Sequence, residues 1–356
     1  IPKTLQKEKA LEAALYLNEE WEITPQLTAS IGARYSLFNA FGKRTFNTYK
    51  DGELPSILNI TGTESRNGNL KTYHAPEFRL GLRYAFTDDF SVKTSFNTMR
   101  QYIHKVSNTM VMSPTDTWKL SDMYIEPQTG TQYSLGFYKN FMGSDLEASV
   151  EGYYKTMDNI MEYMGMNMFS APIDNWEEAF TMGKGKSYGM ETELSWRAED
   201  TEISASYTLS WNKRLFEEFW HDWYLDRNDN RHKLTLTASH SFSKRFDAYA
   251  SWNYHTGNRM TIESHGFHYK DDSLEMFYDS PNNYRFPDYH RLDLGVNFRK
   301  TTKRGNESIW NISIYNAYCR KNAVFATVEI KEDGSYKGSG KAIFPILPSF
   351  SYTFRF

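Results

Sequence analysis

From Gln26 to Leu37 the chain alternates without a break. Leu27, Ala29, Ile31, Ala33, Tyr35 and Leu37 are apolar, and Gln26, Thr28, Ser30, Gly32, Arg34 and Ser36 stand between them. A period of two puts one set on each face of an extended strand. The pattern returns at Ile203, Ala205, Tyr207, Leu209 and Trp211 against Ser204, Ser206, Thr208, Ser210 and Asn212. It returns again at the end, with Phe350, Tyr352, Phe354 and Phe356 against Ser351, Thr353 and Arg355. Each run spans roughly 10 residues, the length a tilted strand needs to cross a bilayer.

Other stretches fit the same template, at 7–20, 77–87, 89–101, 131–142, 145–158, 187–198, 231–243, 246–256, 289–300 and 307–319. The connections between them are of two kinds. Short turns lie at Glu22–Gln26, Thr87–Asp89, Gly143–Asp145, Ala198–Thr201, Ser243–Arg245 and Thr301–Asn306. Long segments lie at 39–72, 102–128, 159–186, 214–230, 257–288 and 320–343. Short and long alternate strictly, as in an outer-membrane barrel with tight periplasmic turns and long external loops. A soluble sandwich or propeller also places charges on one strand face, but has no reason to gather every long loop at one end.

Composition supports the membrane reading. The mean hydropathy is −0.67, yet 16% of the 356 residues are aromatic. A hydrophilic average with so many rings suits a wall that is apolar on alternate residues and carries aromatics at its interfaces. No run of about 18 apolar residues exists, which excludes a transmembrane helix. A net charge of −3 gives no support for a nucleic-acid partner. Cys319 is the only cysteine, so neither an internal disulfide nor a cysteine-based zinc site is available. The expected fold is all-β, an antiparallel transmembrane β-barrel wall occupying residues 1–356 as one unit.

The strand count is about thirteen. A single-chain bacterial barrel starts and ends on the periplasmic side and needs an even number. The chain opens Ile1-Pro2-Lys3-Thr4, with no leader, where an external loop is due. The expectation is that an N-terminal portion is missing. A complete barrel of fourteen strands is the alternative.

Several segments resemble the TonB-dependent outer-membrane receptors, in the form common among Bacteroidetes. Leu15-Tyr16-Leu17-Asn18-Glu19 followed by Gly32-Ala33-Arg34-Tyr35 is similar to a mid-barrel hairpin of that family. Gly189-Met190-Glu191-Thr192-Glu193-Leu194 resembles its recurrent G-x-E-x-E strand, and Asn230-Arg231-His232-Lys233-Leu234 with Tyr254-His255-Thr256-Gly257-Asn258 another hairpin. The best match is Asp288-Tyr289-His290-Arg291-Leu292-Asp293-Leu294-Gly295, followed by Ile314-Tyr315-Asn316-Ala317-Tyr318 and terminal Phe356. The resemblance implies a 22-stranded barrel around an N-terminal plug, of which this chain would be the last thirteen strands or so. It implies outer-membrane lipids, the missing plug and strands, and a TonB-type energy-transducing protein as partners, with a surface lipoprotein as a further candidate.

The polar faces nominate Arg34, Arg79, Arg83, Glu191, Glu193, Arg291 and Asp293 as lumen-facing. Phe354 and Phe356 resemble the C-terminal signature read by barrel-insertion machinery. In the external segments, Met164, Met166, Met168 and Trp176 form a methionine-rich loop. Such a loop suits a contact surface, and its thioethers could also hold Cu(I). Trp220, His221, Trp223 and Tyr224 form a ring-rich loop among acids, suited to sugars, haem-like faces or cations, or to packing on itself. No nucleophile elbow, zinc-protease helix or P-loop is present, and no histidine spacing supports a metal site. No enzyme, cofactor or resident metal is expected. The expected function is energised import of a scarce ligand, an iron–siderophore, haem or cobalamin before a glycan or peptide. A non-transporting barrel subunit, docking scaffold or passive pore is the alternative.

Overall fold

The period-two pattern becomes a meander of long strands. The computed structural model describes residues 7–106, 117–141, 143, 145–163, 176–218, 220–262, 265–268, 274–277, 279–302, 305–323, 325–330, 336–342 and 345–356. The wall strands are β1 (Lys9–Glu22), β2 (Leu27–Tyr49), β3 (Ile60–Thr87), β4 (Phe90–Gln101), β5 (Gln128–Phe141), β6 (Leu146–Tyr163) and β7 (Phe180–Arg197). They continue with β8 (Thr201–Phe216), β9 (His232–Ser243), β10 (Phe246–His255), β11 (Tyr289–Thr301), β12 (Glu307–Tyr315) and β13 (Leu347–Arg355). Each pairs with its neighbours in chain order, and Trp220–Leu225 adds one more strand onto β8. Every pairing in this wall is antiparallel. Among the described residues no pairing joins β13 back to β1.

The thirteen expected strands are present, and antiparallel partners flank each of the six short turns, of which Ser144, Lys303 and Arg304 lie outside the described residues. The long segments differ from expectation. Residues 39–72 are mostly strand: β2 has 23 residues and β3 has 28, paired from Leu27↔Tyr84 out to Tyr49↔Ile60. At roughly 3.3 Å per residue β2 is about 75 Å long, more than twice the ~30 Å hydrocarbon layer. This hairpin stands well clear of the membrane. β6 and β7 likewise reach further than expected, to Tyr163 and from Phe180. Small hairpins occupy other connections, pairing Ile103–Val106 with Thr117–Leu120 and Phe325–Ile330 with Tyr336–Lys341. β12 stops at Tyr315 rather than 319 because Asn316 turns to φ 55.

One face of the wall keeps large apolar side chains open to the surroundings. Ile31, Phe78, Leu80, Leu135 and Leu194 are all exposed, and each alternates with polar neighbours. Two aromatic rows border this face. Phe96, Tyr133, Tyr154, Tyr188 and Trp211 lie in register across β4 to β8 near the long connections. Phe86, Phe90, Phe242, Phe246 and Phe298 lie near the short turns, with ring contacts of 5.0–5.5 Å. From Tyr188 to Trp196, which faces the same way, is eight residues along β7. Eight residues rise ~26 Å, or ~20 Å vertically at a tilt near 40°, close to the ~25 Å apolar band of such barrels.

On the opposite face, apolar packing is local and sits at the end carrying the long connections, the external end of such a barrel. Phe38 stacks on Tyr102 at 4.7 Å and packs with Ala40 and Leu70, while Ser36 Oγ and the Tyr102 hydroxyl are 2.8 Å apart. The connection after β4 therefore folds inward over β2 and β3. A second cluster joins Ile160, Phe216 and Tyr224.

Candidate ligand-facing wall

Register brings charges from separate strands together on the inner face. Arg34 pairs with Glu12 of β1 and Glu77 of β3, at 3.0 Å each. Glu77 also accepts from the Arg100 backbone N–H at 3.1 Å. One residue row runs Arg83, Lys93, Gly136, Glu151, Glu191, Thr208 and Lys233 across β3 to β9. Basic groups from β3 and β4 thus face carboxylates from β6 and β7. Lys93 sits 4.6 Å over the Tyr138 ring, whose hydroxyl donates to Glu151 at 2.9 Å.

The seven nominated inner-face charges fall into two sets. Arg79, Arg83, Glu191 and Glu193 are exposed, and their side chains make no ion pair or hydrogen bond among the described residues. Arg34, Arg291 and Asp293 are tied down. Arg291 pairs with Asp293 at 2.9 Å and lies 4.1 Å over the Tyr315 ring. Asp293 also accepts from the Asn316 backbone N–H at 2.9 Å.

At the external rim the ion pairs become buried. Arg214 bridges Glu162, at 3.2 Å, and Asp226. Asp229 has no exposed side-chain surface and meets Arg285 at 2.8 Å, Arg231 at 3.3 Å and Arg259 at 3.8 Å. Burial, then the neighbouring Arg285, lowers the Arg259 pKa. Three cations around one carboxylate leave this corner net positive. Below it, a cavity of about 370 Å³ opens on the inner face, lined by Lys105, Gln128, Asn212, Arg214, Asp226 and Lys233. Across the whole lining Lys105, Lys186, Lys213, Arg214 and Lys233 stand against one acid, Asp226. Such a concave, positive surface suits an anionic ligand with several oxygen acceptors.

The ring-rich loop is divided by its strand. Arg214 pairs in register with Tyr224, so the two share the inner face. Tyr224 is 5% exposed and packs with Phe216 and Ile160, and Trp220 packs against the same cluster. Tyr224 is therefore an anchor under the rim and not an open platform for ligand. His221 and Trp223 alternate with these two and turn to the outer face, away from the lumen, where Lys186 Nζ sits 3.8 Å over the Trp223 ring. Trp176 begins a short 3-10 helix, Trp176–Glu178. Its neighbour Glu177 accepts from the Tyr49 hydroxyl at 3.0 Å, and burial raises the Glu177 pKa. Met164, Met166 and Met168 lie outside the described residues. Phe354 lies on the outer face of β13 with Phe350 and Tyr352, and Phe356 follows, fully exposed.

Sequence reasoning missed the residues that tie the rim together: Asp229, Asn282 and Asn316. Both asparagines adopt left-handed backbone and are nearly fully buried. Asn282 Nδ2 donates to the Leu225 carbonyl at 2.9 Å, and Arg285 donates to the Asp229 and Gly257 carbonyls at 2.8 and 2.9 Å. The available signal was the Pro281-Asn282-Asn283 turn and the Asn316 that ends β12.

Residues 4–317 match the family model described as TonB dependent receptor-like, beta-barrel. Compared with curated proteins by sequence, the chain finds no match. Its fold is similar to the ferripyoverdine receptor of the Pseudomonas aeruginosa outer membrane, at 16% identity and TM-score 0.55, covering 97% of this chain and 38% of that one. It is similar to the ferric yersiniabactin uptake receptor FyuA of Yersinia pestis, at 13% identity and TM-score 0.58, covering 98% and 46%. It is also similar to the ferric-catecholate import receptor Fiu of E. coli, at 11% identity and TM-score 0.56, covering 97% and 45%. The chain spans less than half the length of these structures. With its antiparallel wall, two aromatic rows and charged inner face, the chain belongs to the TonB-dependent receptor β-barrel family of the bacterial outer membrane.

Proposed function

We propose that this wall captures an anionic metal chelate at its external rim, as part of a receptor that imports it. The observation carrying the reading is the positive inner-face cavity of about 370 Å³ beside Lys105, Arg214 and Lys233. Ferric chelates with catecholate or carboxylate arms present oxygen anions that such cations bind through charge-assisted hydrogen bonds. The siderophores named for the structural neighbours add support.

Import needs parts beyond these residues. The outer backbone edges of β1 and β13 have no partner among the described residues, and lipid offers none. Further strands of a 22-stranded barrel would close the wall. A plug would then rest on the unpaired inner charges Arg79, Arg83, Glu191 and Glu193, and a TonB-type partner would supply the energy through it. A surface lipoprotein could dock on the long external hairpins. In this scheme the wall orients ligand and performs no covalent chemistry.

The test is tryptophan-fluorescence titration of the full-length receptor with ferric catecholate, ferric hydroxamate, haem, cobalamin and an oligosaccharide. Saturable binding of a ferric chelate at micromolar level or tighter supports the reading. Binding only of the oligosaccharide, or of none of the five, would sink it.

A further inference from the structure

We propose that Tyr49, Glu177 and Glu178 form a proton-operated clasp at the external rim, closed when Glu177 takes up a proton. Tyr49 is the last residue of β2, and the two glutamates end the short 3-10 helix before β7. β3, β4 and β5 stand between these elements in the wall, so the contact joins connections that no strand pairing joins. The Tyr49 hydroxyl lies 3.0 Å from Glu177 Oε1 and 3.1 Å from Glu178 Oε1. Burial, then the Glu177 charge, pushes the Tyr49 pKa up, so the phenol keeps its hydrogen. One hydrogen can serve only one of the two acceptors in full. With both carboxylates ionised, the second contact sets lone pair against lone pair. A proton on Glu177 removes the conflict. Its O–H then donates to Tyr49 Oη, and the Tyr49 hydroxyl donates to Glu178.

The surroundings place that proton on Glu177. The residue is 7% exposed and makes no ion pair among the described residues. Arg44 of β2 acts on it from a distance, but that guanidinium is paired with Asp122. From the connection after β4 come Asp122, also held by Lys119 at 3.1 Å, and Tyr124, whose ring meets the Tyr49 ring edge-on at 5.8 Å. The Tyr124 hydroxyl donates to the Asn47 carbonyl, so a third connection is packed into the clasp. Glu178 is the neighbouring acid on the same 3-10 helix. Burial outweighs the Tyr49 and Arg44 contacts and raises the Glu177 pKa. An exposed glutamate titrates near about 4.3. The closed form therefore binds the proton more tightly than the open one. Its extra stability is complete below that value and is lost as pH rises through the raised one. The clasp belongs to the rim and holds whichever ligand the receptor captures.

The experiment is hydrogen exchange of residues 176–180 in the full-length receptor at pH 4.5 and pH 8, corrected for the intrinsic rate. Wild type should exchange roughly five- to tenfold more slowly at pH 4.5, as the gain of one hydrogen bond implies. Glu177→Gln, whose amide supplies the missing hydrogen at any pH, should keep the slow rate at both. Tyr49→Phe should exchange fast at both. His104, buried in the connection after β4, also titrates in acid, at about 4. H104N should nevertheless leave the response of residues 176–180 as in wild type. A wild-type rate that is the same at both pH values, or slower at pH 8, would overturn the proposal. So would the wild-type response in E177Q, or its loss in H104N. Each variant is checked for the heat-modifiable gel migration of a folded barrel. If E177Q does not fold, Y49F alone must flatten the response for the proposal to survive.

Discussion

Arg285 and Asp229 meet at 2.8 Å across the external rim, joining the connection before β11 to the one before β9. The carboxylate has no exposed surface and also accepts from the Asn212 backbone N–H at 3.0 Å. It therefore ties β8 to two loops at once. Removing one partner of a buried pair leaves the other charge uncompensated, at about 3–5 kcal/mol. Asp229→Ala strands three guanidinium groups, whereas Arg285→Met leaves Asp229 with two. The expected result is that D229A opens the rim by at least 3 kcal/mol, roughly, and R285M by less. Hydrogen exchange of residues 225–231 and 281–286 would show it. Equal protection in D229A and wild type would mean that the cluster is not structural.

Asn316 combines left-handed backbone, at φ 55, with a side chain that closes the turn on both sides. Its Nδ2 donates to the carbonyls of Arg320 and Pro345, and its Oδ1 accepts from the Arg320 N–H at 3.1 Å. Alanine loses these bonds and suffers the positive φ, whereas glycine loses only the bonds. Asn316→Ala should destabilise the turn by about 2–4 kcal/mol and Asn316→Gly by about 1–3 kcal/mol. The readout is exchange at Asn316–Lys321. If glycine is the more damaging of the two, backbone strain is not what asparagine relieves here.

The wall was legible because each membrane strand meets two solvents. Leu80 and Leu82 face lipid while Arg79 and Arg83 face the lumen, and that contrast writes the period of two into the sequence. Above the membrane both faces meet water, and the contrast vanishes. Thr61, Gly62, Thr63, Glu64, Ser65 and Arg66 carry no such signal, yet they are strand, held by the backbone ladder with β2. The site was legible only in part for a related reason. Arg34 reads as polar-face from its neighbours, but its partners Glu12 and Glu77 come from two other strands, and only register brings them in. Trp220, His221, Trp223 and Tyr224 read as one aromatic loop. Extension of the chain along β8 splits them between two faces, and composition cannot reveal that split.

His104 makes the inward-folded connection sensitive to pH. Its ring is buried, with Nε2 2.9 Å from Ser121 Oγ and Nδ1 without a partner among the described residues. Burial lowers its pKa to about 4, against a smaller opposing pull from Asp122. The unfolded imidazole titrates near 6.5. Between pH 6.5 and about 4 the unfolded segment holds more protons, so stability rises with pH across this window. The contribution is complete above 6.5 and is lost as pH falls toward 4. Hydrogen exchange at Lys119–Ile125 should therefore speed up relative to its intrinsic rate between pH 7 and pH 5, and H104N should abolish that change. The same pH response in H104N would move the cause elsewhere.

Lys233 offers the cleanest test of the inner cavity. It lines the cavity beside Asn212 and Arg214 and makes no ion pair among the described residues. Arg214 is a poor probe by comparison, because it also holds Glu162 and Asp226 and its loss would disturb the rim. A charge-assisted hydrogen bond from an ammonium to a ligand oxyanion contributes about 1.5–3 kcal/mol, so Lys233→Gln should weaken a ferric chelate by roughly ten- to a hundredfold. Raising the salt concentration should narrow the difference between wild type and K233Q, since screening weakens the Lys233 contribution that the variant lacks. Rim protection by hydrogen exchange should stay unchanged, which separates lost contact from lost structure. Unaltered affinity in K233Q, with the rim intact, would place the captured ligand away from this cavity.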